Sequence, residues 1–216
     1  MKVMTFNIAQ GVGMDNVEDL TRVAELIRDS GAEVVALQEV AVDEHGDQGV
    51  RLAARLGMEI AEGYKLGRWH CGHGHPSRPY GMAVLSRHPI EAVAHHLLPP
   101  SPDDYRELLE ARILGIRFLA AHPTAEGEAE RAAQLAAIHR ITGSAGGPAV
   151  LLGDLNDAHA GPPGAAYADP GPTWPADAPA ERLDHVYGLG GVAVKEARVM
   201  TALASDHLPV VATLAL

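Results

Sequence analysis

Short apolar runs alternate along this chain with stretches rich in glycine, proline and polar residues. Runs this short, bounded by glycine and proline, predict buried strands rather than helices. The predicted strands are Lys2–Ile8, Glu33–Gln38, Met58–Glu62, Tyr80–Ser86, Pro89–Leu98, Glu110–Ile116, Arg117–His122, Val150–Leu152, Arg182–Tyr187, Val192–Met200 and Val210–Leu214.

Apolar residues recur at helical spacing in three other segments, which predict helices over Val17–Ser30, Asp47–Leu56 and Glu126–Thr142. Gly31 follows the first of them, as is common at a helix C-terminus. Strands interleaved with few helices favour an α+β or α/β sandwich, in which two sheets pack face to face with helices on the outside.

Composition and charge narrow the class of protein. The chain has 216 residues, of which 47% are hydrophobic, and no repeat or linker divides it, so we expect one domain over residues 1–216. The net charge of -11 suits extended duplex nucleic acid poorly, because duplexes are bound mainly through Lys and Arg. Cys71 is the single cysteine, and no signal-peptide or membrane-span pattern is present, so we expect a cytoplasmic protein. We also expect it to be a monomer.

Polar side chains stand at the ends of four predicted strands. If these strand ends converge on one edge of the sandwich, they form a polar crevice. Each could instead cap a helix or turn, or face solvent, and Asp154 in particular could be a helix N-cap. The residues concerned are Asn7, Glu39, Asp154 with Asn156, and Asp206 with His207.

A cluster of potential zinc ligands lies within one Gly-containing loop, at His70, Cys71, His73 and His75. Its spacing matches no common zinc motif, so we favour a loop at the rim of the crevice over a structural zinc site.

Seven blocks, taken in order, resemble the endonuclease/exonuclease/phosphatase superfamily of metal-dependent phosphoesterases, which includes pancreatic-type deoxyribonucleases. The resemblance implies a four-layer sandwich, with two mixed β-sheets packed face to face and helices outside. Two departures are Met82, where the family usually has Asn, and Ala121-His122-Pro123, where it usually has Thr-His-Leu. The blocks are Thr5-Phe6-Asn7-Ile8, Leu37-Gln38-Glu39-Val40, Gly81-Met82-Ala83-Val84-Leu85-Ser86-Arg87, Ala121-His122, Gly153-Asp154-Leu155-Asn156-Asp157, Arg182-Leu183-Asp184-His185-Val186 and Ser205-Asp206-His207-Leu208-Pro209.

The resemblance, together with the chemistry of the side chains, suggests a role for each residue. Mg²⁺ or Mn²⁺ would be held by oxygen ligands from Asn7, Glu39 and Asp206. The general base is either Asp154 or the pair of Asp184 and His207, and the two remain alternatives. The expected catalytic set is His122, Asp154, Asn156, Asp184 and His207, and Arg78 and Tyr80 are expected to contact substrate.

Arg131 and Gln134 also occupy positions where the family often has Arg and Gln. A solvated helix face explains them at least as well, so they stay outside the predicted site.

Three functions are compatible with these observations. The leading one is hydrolysis of a small or soluble phosphodiester or phosphomonoester by water, with Mg²⁺ or Mn²⁺. A nuclease acting on single-stranded or damaged nucleic acid is the alternative within enzymes, and a non-catalytic binding protein that retains the fold is the alternative outside them.

Overall fold

The computed structural model describes residues 1–69, 78–101, 105–144 and 146–215. The α-helices in these ranges are α1 (Leu20–Ser30), α2 (Gln48–Leu56) and α3 (Glu128–Ser144), and a 3-10 turn covers Ala9–Gly11. The strands are β1 (Lys2–Asn7), β2 (Val34–Asp43), β3 (Gly46–Asp47), β4 (Glu59–Glu62), β5 (Gly67–Trp69), β6 (Arg78–Ser86), β7 (Ile90–Leu97), β8 (Glu107–Ile113), β9 (Ile116–Ala121), β10 (Ala149–Asp154), β11 (Ala166–Tyr167), β12 (Asp184–Leu189), β13 (Ala193–Val199) and β14 (Val210–Ala215).

The strands form two mixed sheets. The first has the order β13-β14-β1-β2-β6-β4, with β3 paired to β2 and β5 paired to β6. The second has the order β11-β12-β10-β9-β8-β7. Strands β1 and β2 are parallel, as are β9 and β10, whereas their other neighbours are antiparallel.

Side-chain alternation along the strands produces a core between the sheets and another on each outer face. Inner-face residues such as Val3 and Val84 of the first sheet belong to one cluster with Phe118 and Leu152 of the second. Helices α1 and α2 cover the outer face of the first sheet, where Phe6, Ile27 and Leu52 belong to one cluster. Helix α3 covers the outer face of the second, where Leu119 and Leu151 cluster with Ile138. This arrangement confirms the predicted four-layer sandwich.

Helix α1 begins at Leu20, later than predicted, because Asp19 caps it. The Asp19 side chain accepts a hydrogen bond from Thr21 N, and Val17 lies outside the helix and is 53% exposed. The helix ends as predicted at Gly31, which has a left-handed φ of 67°.

The bounds predicted for the two adjacent strands Glu110–Ile116 and Arg117–His122 are wrong. Strand β8 ends at Ile113 and β9 starts at Ile116, and these two residues pair across a two-residue turn. Leu114 and Gly115 both have positive φ, as a type I′ turn requires. An apolar, exposed Leu114 hid this turn in the hydrophobic pattern.

No helix in the described ranges is long and apolar enough to cross a membrane.

Candidate active site

A cavity of about 660 Å³ opens at the edge of the sandwich where β9 and β10 end and where Glu39 interrupts the pairing of β2 with β6. Elements of both sheets line it, so residues far apart in sequence meet there. The predicted site residues that line it are Glu39, Tyr80, His122, Asp154, Asn156, Asp206 and His207.

Asn7 links the acids of the two sheets. Its side-chain Nδ2 donates to Glu39 Oε1 at 3.2 Å and to Asp154 Oδ2 at 3.1 Å, and all three side chains are buried. Its Oδ1 accepts a hydrogen bond from Ala9 N at 3.1 Å. Asn7 therefore fixes the spacing between a carboxylate of the first sheet and a carboxylate of the second.

Glu39 reaches the cavity through a bulge in β2. The pairing of β2 with β6 shifts between Leu37 and Val40, and Glu39 has a φ of 55°, which is costly for a residue with a side chain. Burial and the nearby charge of Asp206 raise the pKa of Glu39 to about 7.

Asp154 ends β10 in an Asx turn and not as a helix cap. Its Oδ1 accepts a hydrogen bond from Asn156 N at 3.0 Å, and no helix follows it in the described part of the chain. Asn156 has a φ of 50°, and its Nδ2 donates to Pro123 O at 3.0 Å. Gly153 is required before the acid because a Cβ there would collide with Ala121 O of the parallel neighbour β9.

Two histidines approach the same oxygen of Asp154. His122 Nε2 lies 3.5 Å and His207 Nε2 lies 3.6 Å from Asp154 Oδ2. Burial raises the pKa of Asp154 to about 6, although the charge of His207 opposes this shift.

His207 is held by an acid behind it. Its Nδ1 lies 2.9 Å from Asp184 Oδ2, and both side chains are buried. Burial alone would lower the pKa of His207, but the charges of Asp184 and Asp154 raise it to about 10. Ser205 positions the backbone, since its Oγ donates to Asn7 O at 2.7 Å and accepts from His207 N at 3.2 Å.

His122 has a different environment, because its neighbour on the Nδ1 side is a cation. Arg106 Nη1 lies 3.1 Å from His122 Nδ1, and Arg106 Nη2 donates to the Tyr80 hydroxyl at 3.1 Å. Burial, then the charges of Arg106 and His207, lowers the pKa of His122 well below its usual value.

Other predicted residues lie elsewhere. Arg78 donates to Glu18 Oε2 at 2.7 Å and is not among the described residues that line the cavity, so its contact with substrate stays a prediction. Gln134 is buried and bridges Thr124 N and Pro99 O, so the solvated helix face predicted for it is wrong, and Arg131 of the same helix lines the cavity. The four potential zinc ligands, His70, Cys71, His73 and His75, lie outside the described residues.

The fold brings to the site several residues that the sequence pattern did not indicate. Arg106 and Trp174 line the cavity but belong to no block of the resemblance. Ser205 was part of a matching block, and a hydroxyl two residues before a histidine was a usable signal for it.

Two groups of side chains are candidates to hold a metal ion. Ligand atoms of Asp154, Asp184 and His207 lie within 4.8 Å of one another. Nδ1 of His207 already contacts Asp184, and the charges of Asp184 and Asp154 favour the protonated ring, which cannot ligate.

The second group is Glu39 with Asn7 and Asp206, and its chemistry fits a hard cation better. Glu39 is a buried carboxylate whose pKa is raised partly by the charge of another carboxylate. In the described ranges, no basic side chain lies within ion-pair distance of Glu39. A buried acid in this state is costly unless a cation neutralises it, and Mg²⁺ and Mn²⁺ prefer such oxygen ligands.

Comparison with solved structures finds similar folds over the whole chain. An endonuclease/exonuclease/phosphatase from Beutenbergia cavernae DSM 12333 has a TM-score of 0.81 at 29% identity, covering 100% of this chain and 71% of that one. A mannosyl-6-phosphatase from Bacteroides thetaiotaomicron VPI-5482 has a TM-score of 0.74 at 17% identity, covering 100% of both chains. A humanized D. rerio TDP2 has a TM-score of 0.74 at 16% identity, covering 100% of this chain and 99% of that one.

The last two similarities establish the fold alone. A sequence comparison with curated proteins finds no match. The family model described as Endonuclease/Exonuclease/phosphatase family matches residues 4–207, a range that contains every described site residue. The chain therefore belongs to the endonuclease/exonuclease/phosphatase family, whose members are phosphoester hydrolases.

Proposed function

We propose that this protein is a divalent-metal-dependent hydrolase that cleaves a small phosphomonoester or phosphodiester by direct attack of water. The observation that carries the proposal is the convergence of Glu39, Asp154 and Asp206 on one cavity, with the charged His207 beside them. Several acids and one cationic histidine suit a site that binds both a metal ion and an anionic phosphate.

Asp154 is the general base in this proposal. Its pKa of about 6 keeps it ionised at neutral pH while leaving it basic enough to take a proton from water. His207, with a pKa of about 10, is already protonated and is a poor base. The pKa values thus favour Asp154 as the general base over the pair of Asp184 and His207. The sequence had left these two alternatives open.

His207 and Asn156 bind the phosphate or the attacking water. With Nδ1 of His207 held by Asp184, its Nε2–H is the donor that remains for a phosphoryl oxygen. Asn156 donates one N–H to Pro123 O, and the amide has a second N–H for the water or the phosphate.

Glu39 is the principal metal ligand of the proposal, with Asp206 as a further carboxylate donor. Ligation by Asn7 would use Oδ1, which here accepts from Ala9 N while Nδ2 faces Glu39. When bound, Mg²⁺ or Mn²⁺ supplies charge stabilisation to the phosphoryl oxygens. Asn7 holds Glu39 and Asp154 at a fixed separation, so ligand and base keep their relative positions.

The cavity supports a small substrate. Its volume of about 660 Å³ is in the usual range for small-molecule sites. Glu126, Glu130 and Glu181 are on its lining, and the Arg131 guanidinium there donates to Ala125 O at 2.8 Å. This lining is unfavourable for a polyanion beyond the reacting phosphate, which argues against long nucleic acid.

Hydrolysis of p-nitrophenyl phosphate, bis-p-nitrophenyl phosphate and sugar phosphates, with Mg²⁺, Mn²⁺ or EDTA, tests the proposal. Sugar phosphates are suitable because the Bacteroides neighbour is by name a mannosyl-6-phosphatase. We expect metal-dependent turnover that varies little with salt. A steep loss of substrate binding with salt would support the nuclease alternative, and no metal-dependent turnover on this panel would support the binding protein.

Asp154→Asn tests the role of the base. We expect turnover to fall by about 10²–10⁴-fold, with an unchanged far-UV circular dichroism spectrum. Asp157→Asn is the matched control, since the Asp157 carboxylate accepts from His159 N and does not line the cavity. Near-normal turnover by Asp154→Asn would show that another group is the base.

A further inference from the structure

The ring of His122 meets a guanidinium on its Nδ1 side. Arg106 Nη1 lies 3.1 Å from His122 Nδ1 and 3.4 Å from His122 O. A guanidinium has donors and no acceptor, so Nδ1 must accept this hydrogen bond through its lone pair. A neutral imidazole with an accepting Nδ1 carries its proton on Nε2.

The opposite edge of the ring faces the reaction centre. His122 Nε2 lies 3.5 Å from Asp154 Oδ2, and His122 lines the cavity. Among the described residues, the charged groups around the ring are Arg106, His207 and Asp154. Two of these groups are cations and the ring is buried, so a second proton on His122 is disfavoured.

Arg106 is itself held in place. Its Nη2 donates to the Tyr80 hydroxyl at 3.1 Å, and its Cζ lies 5.7 Å from the centre of the Tyr80 ring. A planar guanidinium fixed at two points presents Nη1 to His122 in one direction. Tyr80 therefore contributes to the site by orienting Arg106 as well as by lining the cavity.

We propose that Arg106 is a positioning residue that holds His122 as the neutral tautomer with its proton on Nε2. His122 then donates a hydrogen bond to a phosphoryl oxygen and supplies no proton to the leaving group. The hydrogen bond to phosphate rests on the proposed hydrolase function, whereas the tautomer does not.

The tautomer can be measured without substrate. Long-range ¹H–¹⁵N spectra of the ring nitrogens in the full-length, metal-free protein, with His122 assigned through His122→Gln, report which nitrogen carries the proton. We expect Nε2 to be protonated and Nδ1 unprotonated from mildly acidic to mildly alkaline pH. An imidazolium at neutral pH, or a proton on Nδ1, would overturn the proposal.

Variants at Arg106 test whether this residue sets the tautomer of His122. Arg106→Met removes charge and donors, so we expect His122 to populate the Nδ1–H tautomer or to take up a second proton as pH falls. Arg106→Lys keeps a charged donor and should largely retain the Nε2–H tautomer. Arg112→Met, at an exposed position on β8, is the matched control and should leave the His122 spectrum unchanged. A wild-type spectrum from folded Arg106→Met would refute the role of Arg106.

Tyr80→Phe provides a milder perturbation if Arg106→Met does not fold, since it removes only the hydroxyl that receives Nη2. We expect His122 to show a mixture of tautomers in this variant. The wild-type spectrum alone can still refute the proposal if neither variant folds.

Kinetics separate this inference from the proposed function. If His122 acts only as a donor, His122→Gln should retain more turnover than His122→Ala, because the glutamine amide also carries N–H groups.

Arg106→Met should lower kcat by about 10–100-fold, as loss of a residue behind a ligand-contacting side chain commonly does. Equal losses for the two His122 variants would refute the donor role. Absence of turnover by the wild type would refute the hydrolase function and leave the tautomer measurement valid.

Discussion

Replacement of Glu39 by glutamine should stabilise the metal-free protein above neutral pH and abolish its stabilisation by metal. Glu39 is 8% exposed, and burial with the charge of Asp206 raises its pKa from 4.5 to about 7. A raised pKa means that the folded protein binds this proton more tightly than the unfolded chain. Stability is therefore lost as pH rises from the unfolded pKa through the folded one.

The pKa of Glu39 sets the size of the effect. A shift from 4.5 to about 7, at about 1.4 kcal/mol per pKa unit, corresponds to about 3 kcal/mol of unfolding free energy lost by alkaline pH. His207 has a raised pKa, so its deprotonation also lowers the unfolding free energy as pH rises. This loss occurs in both wild type and variant. The difference between the two proteins measures the cost of ionising Glu39, including the effect of its charge on Asp206, His207 and Asp154.

Urea unfolding with EDTA at about pH 5 and about pH 8 measures this difference. We expect Glu39→Gln to lose about 2–3 kcal/mol less than wild type between the two pH values, because part of the loss has already occurred at about pH 5. At the higher pH, Mn²⁺ or Mg²⁺ should raise the unfolding free energy of wild type and not that of the variant. Glu62→Gln, an exposed position at the end of β4, is the control and should respond to pH and metal as wild type does.

Two results would refute this reasoning. If Glu39→Gln is less stable than wild type at the higher pH without metal, the buried carboxylate is not costly. If the variant is stabilised by metal as much as wild type, Glu39 is not the principal ligand.

Three further substitutions test how the site is held. Asp184→Asn should lower the pKa of His207 from about 10, because a negative charge is removed at 2.9 Å; an unchanged value by NMR titration would show that Asp184 does not set it. Ser205→Ala should cost about 1–3 kcal/mol of unfolding free energy in urea, since two buried backbone partners lose their hydrogen bond, and a neutral result would contradict this. Gly153→Ala should cost about 1–3 kcal/mol or more because its Cβ collides with Ala121 O; wild-type stability would mean that β9 and β10 can separate freely.

Much of the fold was predictable because residues that become buried form recognisable apolar patterns along the sequence. Short apolar runs identified β1, β6 and β14, and the glycine at position 31 marked the end of α1. The predictions failed where local pattern and backbone geometry disagree. At Leu114 an apolar residue forms a turn, and Ala166–Tyr167 is a short strand within a Pro- and Gly-rich segment.

The sequence by itself determined which polar residues stand at the strand ends, and the pattern together with family resemblance selected Glu39, Asp154 and His207. Only the tertiary structure decided how they act on one another. The pKa of each group depends on burial and on charges that come from distant parts of the chain, and the left-handed φ of Glu39 depends on its bulge against β6. The partner of His122 is the clearest case, because nothing local connects it with Arg106, 16 residues away in sequence, until β8 and β9 pair.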